Sequence, residues 1–77
     1  MSKNNIAASI TESLEQYYRD LGGEKPSNVY DMMVDAMEKP LLEFIMARTR
    51  NNQSQASIIL GINRNTLRKK LQHHGML

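Results

Sequence analysis

Apolar residues recur at steps of three and four from Ile6 to Leu71, and nowhere do they alternate with period two. Side chains three and four apart share one face of an α-helix, whereas a half-buried strand needs alternation, so the pattern predicts an all-α fold. With 77 residues the chain makes one small domain, and a large two-layer enzyme fold is excluded. It has one Phe, no Trp and no Cys, so nothing covalent reinforces so small a core. Chains of this size commonly gain the missing burial by oligomerising, and a homodimer is expected. Absence of cysteine removes thiolate metal sites and thiol catalysis, and gives no sign of an oxidising compartment. Residues 1–10 lack the cationic and long apolar regions of a signal peptide, and the composition is not that of a membrane span, so a cytoplasmic address is expected.

Four helices follow from the punctuation. Ile6, Ile10, Leu14, Tyr17, Tyr18 and Leu21 mark the first, closed by Gly22-Gly23. Lys25-Pro26-Ser27-Asn28 then breaks the chain, with Ser27 or Asn28 available to cap the next helix. The second helix carries Val29, Met32, Met33, Ala36, Met37, Leu41, Phe44, Ile45 and Met46, a stripe too wide for one neighbour. Part should face the first helix, and part, including Met33, Met37, Leu41, Phe44 and Ile45, a second copy of the chain. Pro40 lies inside this pattern and should kink the helix; the alternative is a break at Lys39. Asn52 with Gln55 three residues on has the spacing of a capping box, opening a short third helix with Ala56, Ile59 and Leu60 turned inward and Gly61 as its left-handed cap. Asn63 caps a fourth, with Leu67 and Leu71 on one face and Gly75 at its end. These elements divide into a helical dimerisation core, residues 1–49, and a helix-turn-helix segment, residues 50–77, within one domain.

All eight acidic residues precede residue 44. Residues 1–43 carry a net charge of −4 and residues 44–77 a net charge of +6. A basic half on an acidic molecule is the footprint of a polyanion-binding protein, the bland alternative being a solvated basic face. Two short helices joined by Gly61-Ile62-Asn63, small at Ala56 and Ser57 where they cross and plugged by Ile62 and Leu67, form a helix-turn-helix. Such a motif sets its second helix in the major groove of double-stranded DNA. With Leu67 and Leu71 buried, Asn65, Lys69, Gln72 and His73 point away, with Thr66 and Arg68 on the shoulders. Arg64, in the first turn, is the candidate for base readout, since arginine bidentate to guanine is the commonest specific contact. Asn63 can reach a base or phosphate if capping does not occupy it fully. Thr66, Arg68, Lys69, Gln72 and His73 are phosphate candidates, which fix register rather than sequence. Lys70 flanks the leucines near the helix end, where a cation is favoured anyway.

Other features carry less chemistry. His73 and His74 project about 100° apart and have no carboxylate near them in sequence, so neither a metal site nor catalysis is expected there. Met32, Met33 and Met37 read as core and dimer packing ahead of a partner groove, and Tyr17, Tyr18 and Tyr30 as rims of the core. No cofactor is called for.

Beyond these local signals, the run Pro40-Leu41-Leu42, then Thr49 to Gln53, then Leu60-Gly61-Ile62-Asn63-Arg64-Asn65-Thr66-Leu67-Arg68-Lys69-Lys70-Leu71 and Gly75-Met76 resembles the bacterial Fis family, the factor for inversion stimulation. The resemblance runs from about Ile10 to the end. It implies an intertwined homodimer of four-helix subunits in the nucleoid, bending DNA at degenerate sites and regulating transcription, with RNA polymerase as a further partner. Matched position by position, it implies Asn52, Ser54, Asn63, Arg64, Thr66, Arg68 and Lys69 as DNA contacts. Longer members begin with an extra segment, partly a β-hairpin, that stimulates DNA invertases. This chain has almost none of it, and recombinase stimulation is not expected. Gln55, Gln72 and His73 stand where well-known members have basic side chains, implying a weaker grip on the backbone. Two other readings use the same residues: a C-terminal helix-turn-helix cut from a nitrogen-regulation-type activator, against which Met1 and the linker-free first helix speak, and a DNA-independent adaptor working through its methionine-rich helix.

Overall fold

Gly and Asn residues divide the chain where their positions require it. The computed structural model describes residues 3–77, with side chains described from Asn5 onward. Four helices and no strand occur among the described residues: α1 (Lys3–Leu21), α2 (Val29–Arg48), α3 (Gln53–Leu60) and α4 (Arg64–His73). No helix among them is long and apolar enough to cross a membrane.

The stop of α3 matches the sequence signal. Gly61 has φ 71°, and the Gly61 and Ile62 amides donate to the carbonyls of Ile58 and Ser57. That pair of bonds is a Schellman closure, which needs a left-handed residue just past the helix. The same closure ends α2, where the Arg50 and Asn51 amides donate to Ala47 and Met46. Here Arg50, at φ 53°, takes the place of a glycine. The Thr49 hydroxyl stabilises this end by donating to the Ile45 carbonyl at 3.0 Å.

α2 runs unbroken through Pro40, so the break at Lys39 does not occur. Its start also departs from expectation. Asn28 precedes the first turn but is itself left-handed (φ 54°, ψ 32°) and makes no side-chain cap bond. A capping side chain needs an extended backbone at that position to fold back onto the helix amides, which Asn28 lacks. The Asp31 carboxylate stands in the first turn instead, where the helix dipole favours it.

The buried centre consists of Leu42 and Met46 from α2, Ala56 from α3, and Leu67 and Leu71 from α4, with Ile45, Leu60, Ile62 and Met76 packed around it. Leu67 and Ala56 are fully buried, at 0% exposure. The core of the helix-turn-helix therefore extends across residue 49 into α2. Ile59 does not join it and is 55% exposed. The inward face of α3 is set by Ala56, Ser57 and Leu60, and Ile59 lies about 60° to one side of that stripe. Tyr18 and Tyr30 are exposed as well, and Tyr17 is half-buried with its ring edge-on to that of Tyr18.

The other half is open. Ile6 and Ile10 of α1 and Met33, Val34, Met37, Pro40 and Leu41 of α2 line an apolar groove of about 640 Å³. Phe44 lies beyond it, 61% exposed, with the Arg48 guanidinium 5.7 Å from its ring centroid. α1 and α2 both line this groove, which leaves that part of the α2 stripe open.

Candidate nucleic-acid interface

The first turns of α3 and α4 are built by two asparagines. Asn52 is extended (φ −83°, ψ 100°), and its side-chain oxygen accepts the Gln55 amide at 3.0 Å. Asn63 is also extended, and its side-chain oxygen accepts the Asn65 amide at 2.7 Å. Each cap satisfies an amide that would otherwise be unpaired and fixes the direction in which its helix leaves the turn. The cap engages one of the Asn63 acceptor sites and leaves its side-chain NH2 free for another partner. The Asn52 amide donates to the Thr49 carbonyl at 3.1 Å, so it is already paired without the reciprocal bond of a full capping box.

These caps bring together residues ten apart in the chain. The Arg64 guanidinium donates to the Ser54 hydroxyl at 3.3 Å, on the solvent side of both helices. Ser57, buried beneath, donates its hydroxyl to the Ser54 carbonyl at 2.8 Å, so a polar side chain at the crossing is paired within its own helix. Asn52, Ser54, Asn63, Arg64, Thr66, Arg68, Lys69, Gln72 and His73 are all exposed, and Leu67 and Leu71 hold α4 from beneath. On the wheel of α4, Arg64 and Arg68 lie toward α3, Asn65, Lys69 and Gln72 face outward, and Thr66 and His73 lie toward α2. An exposed convex helix with cations on its outer face and flank can enter a groove lined by phosphates, with its N-terminal side chains nearest the base edges.

The α2 side of α4 departs from the sequence reading. His73 does not stand free: its Nε2 lies 3.2 Å from Asp35 Oδ1. His74 Nε2 lies 2.9 Å from Glu38 Oε1, and its side chain is only 6% exposed. Lys70 Nζ donates to Glu38 Oε2 at 2.7 Å, which gives this lysine a specific partner in place of a general role at the helix end. The Lys70 ammonium holds the Glu38 carboxyl below its ordinary range, against the opposing effect of burial, and His74 adds to the lowering. Glu38 and Asp35 are one turn apart on α2, 32 to 38 residues from their partners. No local spacing announces such pairs; only the angle at which α4 crosses α2 creates them.

Comparison with known proteins agrees with this architecture. The sequence pattern of the family described as bacterial regulatory protein, Fis family, matches residues 34–74. A relative from Ralstonia nicotianae named as a Fis-like DNA-binding protein is 64% identical over 77 residues, the whole of both chains. A relative of the same name from Neisseria meningitidis serogroup A is 53% identical over 73 residues, covering 95% of this chain and 92% of its own. The DNA-binding protein Fis of Yersinia enterocolitica is 43% identical over 76 residues, covering 99% of this chain and 78% of the relative. With four helices, the turn at Gly61 and matches spanning the whole chain, the protein belongs to the Fis family of bacterial regulatory proteins.

Proposed function

We propose that this protein binds double-stranded DNA as a homodimer and acts as a nucleoid-associated regulator of transcription in the cytoplasm, setting α4 of each copy in the major groove. The observation that carries the reading is the exposed Ser54–Arg64 pair at the meeting of α3 and α4, at the front of a helix whose outer face is cationic. Arg64 reads a base edge, and Asn63 supplies a second contact through the NH2 that its cap leaves free. Asn52, Ser54, Thr66, Arg68, Lys69, Gln72 and His73 hold phosphates. Met33, Met37, Leu41 and Phe44 join the two copies. Ile45 contributes with the part of its surface that the helix-turn-helix core leaves uncovered. Two copies of α4 fixed by one dimer interface act as a rigid two-pronged reader, and DNA that bends toward the protein gains further phosphate contacts. RNA polymerase is the further partner that transcriptional control brings in. The protein works by binding and carries out no chemistry on its target.

A gel-shift titration with a random duplex tests this directly, because an adaptor that ignores DNA gives no shift. On a set of related duplexes, Arg64→Ala should cost about 1–3 kcal/mol at a preferred site and flatten the preference, while Lys69→Ala should weaken all duplexes alike and reduce the salt slope by about one for each phosphate it no longer neutralises. The assignment fails if both substitutions give one pattern.

A further inference from the structure

The seam between α2 and α4 holds a set of side chains of which the DNA reading uses only His73. Asp35, His73 and His74 each offer one ligand atom, a carboxylate oxygen or a ring nitrogen, and these three atoms all lie within 4.8 Å of one another. Glu38 Oε1 stands 2.9 Å from His74 Nε2. The two imidazoles meet edge to face, with ring centroids 4.8 Å apart. We propose that Asp35, Glu38, His73 and His74 form a binding site for one divalent transition-metal ion, zinc by preference, which clamps the end of the recognition helix to α2.

The chemistry of the donor set favours such an ion. Two imidazole nitrogens and two carboxylate oxygens suit zinc, nickel or copper, whereas magnesium and calcium prefer oxygen alone. Zinc with bonds of about 2.0–2.1 Å in a tetrahedron places its ligand atoms roughly 3.3 Å apart. The pairs His73–Asp35 at 3.2 Å and His74–Glu38 at 2.9 Å already stand close to that spacing. The His73 and Asp35 side chains, 60% and 54% exposed, have room to rotate toward the inner pair.

Two features make this more than a chance of composition. Two ligands come from α2 and two from the last residue and the C-cap of α4, so a bound ion is a cross-link between side chains 36 to 38 residues apart in the chain. The inner pair is also held in place: the Glu38 side chain is 11% exposed and His74 6% exposed, and Lys70 grips the second Glu38 oxygen without occupying the first. A ligand carboxylate oriented by a neighbouring donor is the arrangement that outer partners commonly give a metal site. Since imidazole binds metal only when neutral, uptake should release protons and weaken as the solution is acidified. The site stands independently of the DNA reading, because its test contains no DNA.

The full chain is titrated with zinc chloride by calorimetry at neutral pH, with magnesium chloride as the control and the histidine ring resonances followed by NMR. One zinc ion per chain is expected, with no response to magnesium and with shifts in both His73 and His74. His73→Gln and Asp35→Asn, both at exposed positions and so compatible with folding, should each weaken zinc binding about tenfold or more. Sedimentation should show the same mass with and without zinc. No zinc binding at 100-micromolar metal, unchanged affinity in both variants, or a mass that rises with zinc because ions bridge separate molecules would each overturn the proposal.

Discussion

The C-terminal half of this chain completes its own packing, and the N-terminal half does not. From Leu42 to Met76 apolar side chains converge on Leu67, and no buried side-chain nitrogen or oxygen among the described residues lacks a partner. Along α1 and the outer face of α2, Met37, Leu41 and Phe44 are exposed at or near an apolar groove. On the proposed reading, the difference separates two tasks. A reading head must hold its cations at fixed angles and needs a closed core beneath them. A pairing surface must stay unsatisfied until a second copy arrives, and contiguous exposed apolar area on a small protein is the usual mark of such a surface.

Removing the plug of the closed half should have the largest effect. Leu67→Ala deletes a fully buried side chain where three helices meet and should cost about 2–5 kcal/mol. That is comparable to the whole stability of a domain this small. Thermal melting should show loss of the cooperative transition, and a variant that melts like the unmodified chain would show that the core lies elsewhere.

Phe44→Asp attacks the open half. A charge on the proposed pairing surface should weaken dimerisation by on the order of 2 kcal/mol or more. Because obligate dimers often have no stable folded monomer, helicity and DNA binding should fall together. Sedimentation and circular dichroism at matched concentrations check this. A dimer of unchanged strength would place the pairing surface away from Phe44.

Glu38 joins the halves, and pH tests it. Lys70 first, then His74, lowers its pKa from the ordinary 4.5, while burial opposes them. A carboxyl whose folded value lies below its unfolded one stabilises the fold fully above the unfolded value, and loses that contribution as pH falls through the folded value. Melting temperature should therefore decline as the solution is acidified below about pH 4.5, and Glu38→Gln should make that decline shallower while costing about 1 kcal/mol at neutral pH. An equal acid slope in both proteins would mean that Glu38 does not join the halves.

The smallest effect belongs to the turn between α2 and α3, inside the closed half. Arg50 holds a left-handed conformation at φ 53° that glycine adopts without strain. Arg50→Gly should raise stability by about 0.5 kcal/mol, read as a small increase in melting temperature. A decrease would mean that the arginine side chain holds the turn through contacts worth more than its strain.

Much of the helix-turn-helix was legible in the sequence because its determinants are local. Asn52, Gly61 and Asn63 act on amides and carbonyls within a few residues, and the alternation of Leu67 and Leu71 with exposed cations is a property of one helix. What escaped was set by packing between distant segments. Ile59 matched the apolar period of α3, but the face that α4 and α2 cover lies to one side of it. His73 matched the outward face of α4, but that helix leans on α2 and meets Asp35. The pairing of Glu38 with both Lys70 and His74 needs the crossing itself. Arg50 escaped for a different reason: the closure of α2 is a glycine motif without the glycine.

If the open half pairs two chains so that two closed halves meet one DNA duplex, the stoichiometry of the complex must show it. Sedimentation equilibrium of the protein mixed with a duplex long enough for two adjacent major-groove sites measures this directly. The complex should contain two 8.8 kDa chains per duplex, with no species of one chain bound at any protein concentration that leaves DNA in excess. Complexes of one chain on one duplex, populated under those conditions, would contradict it.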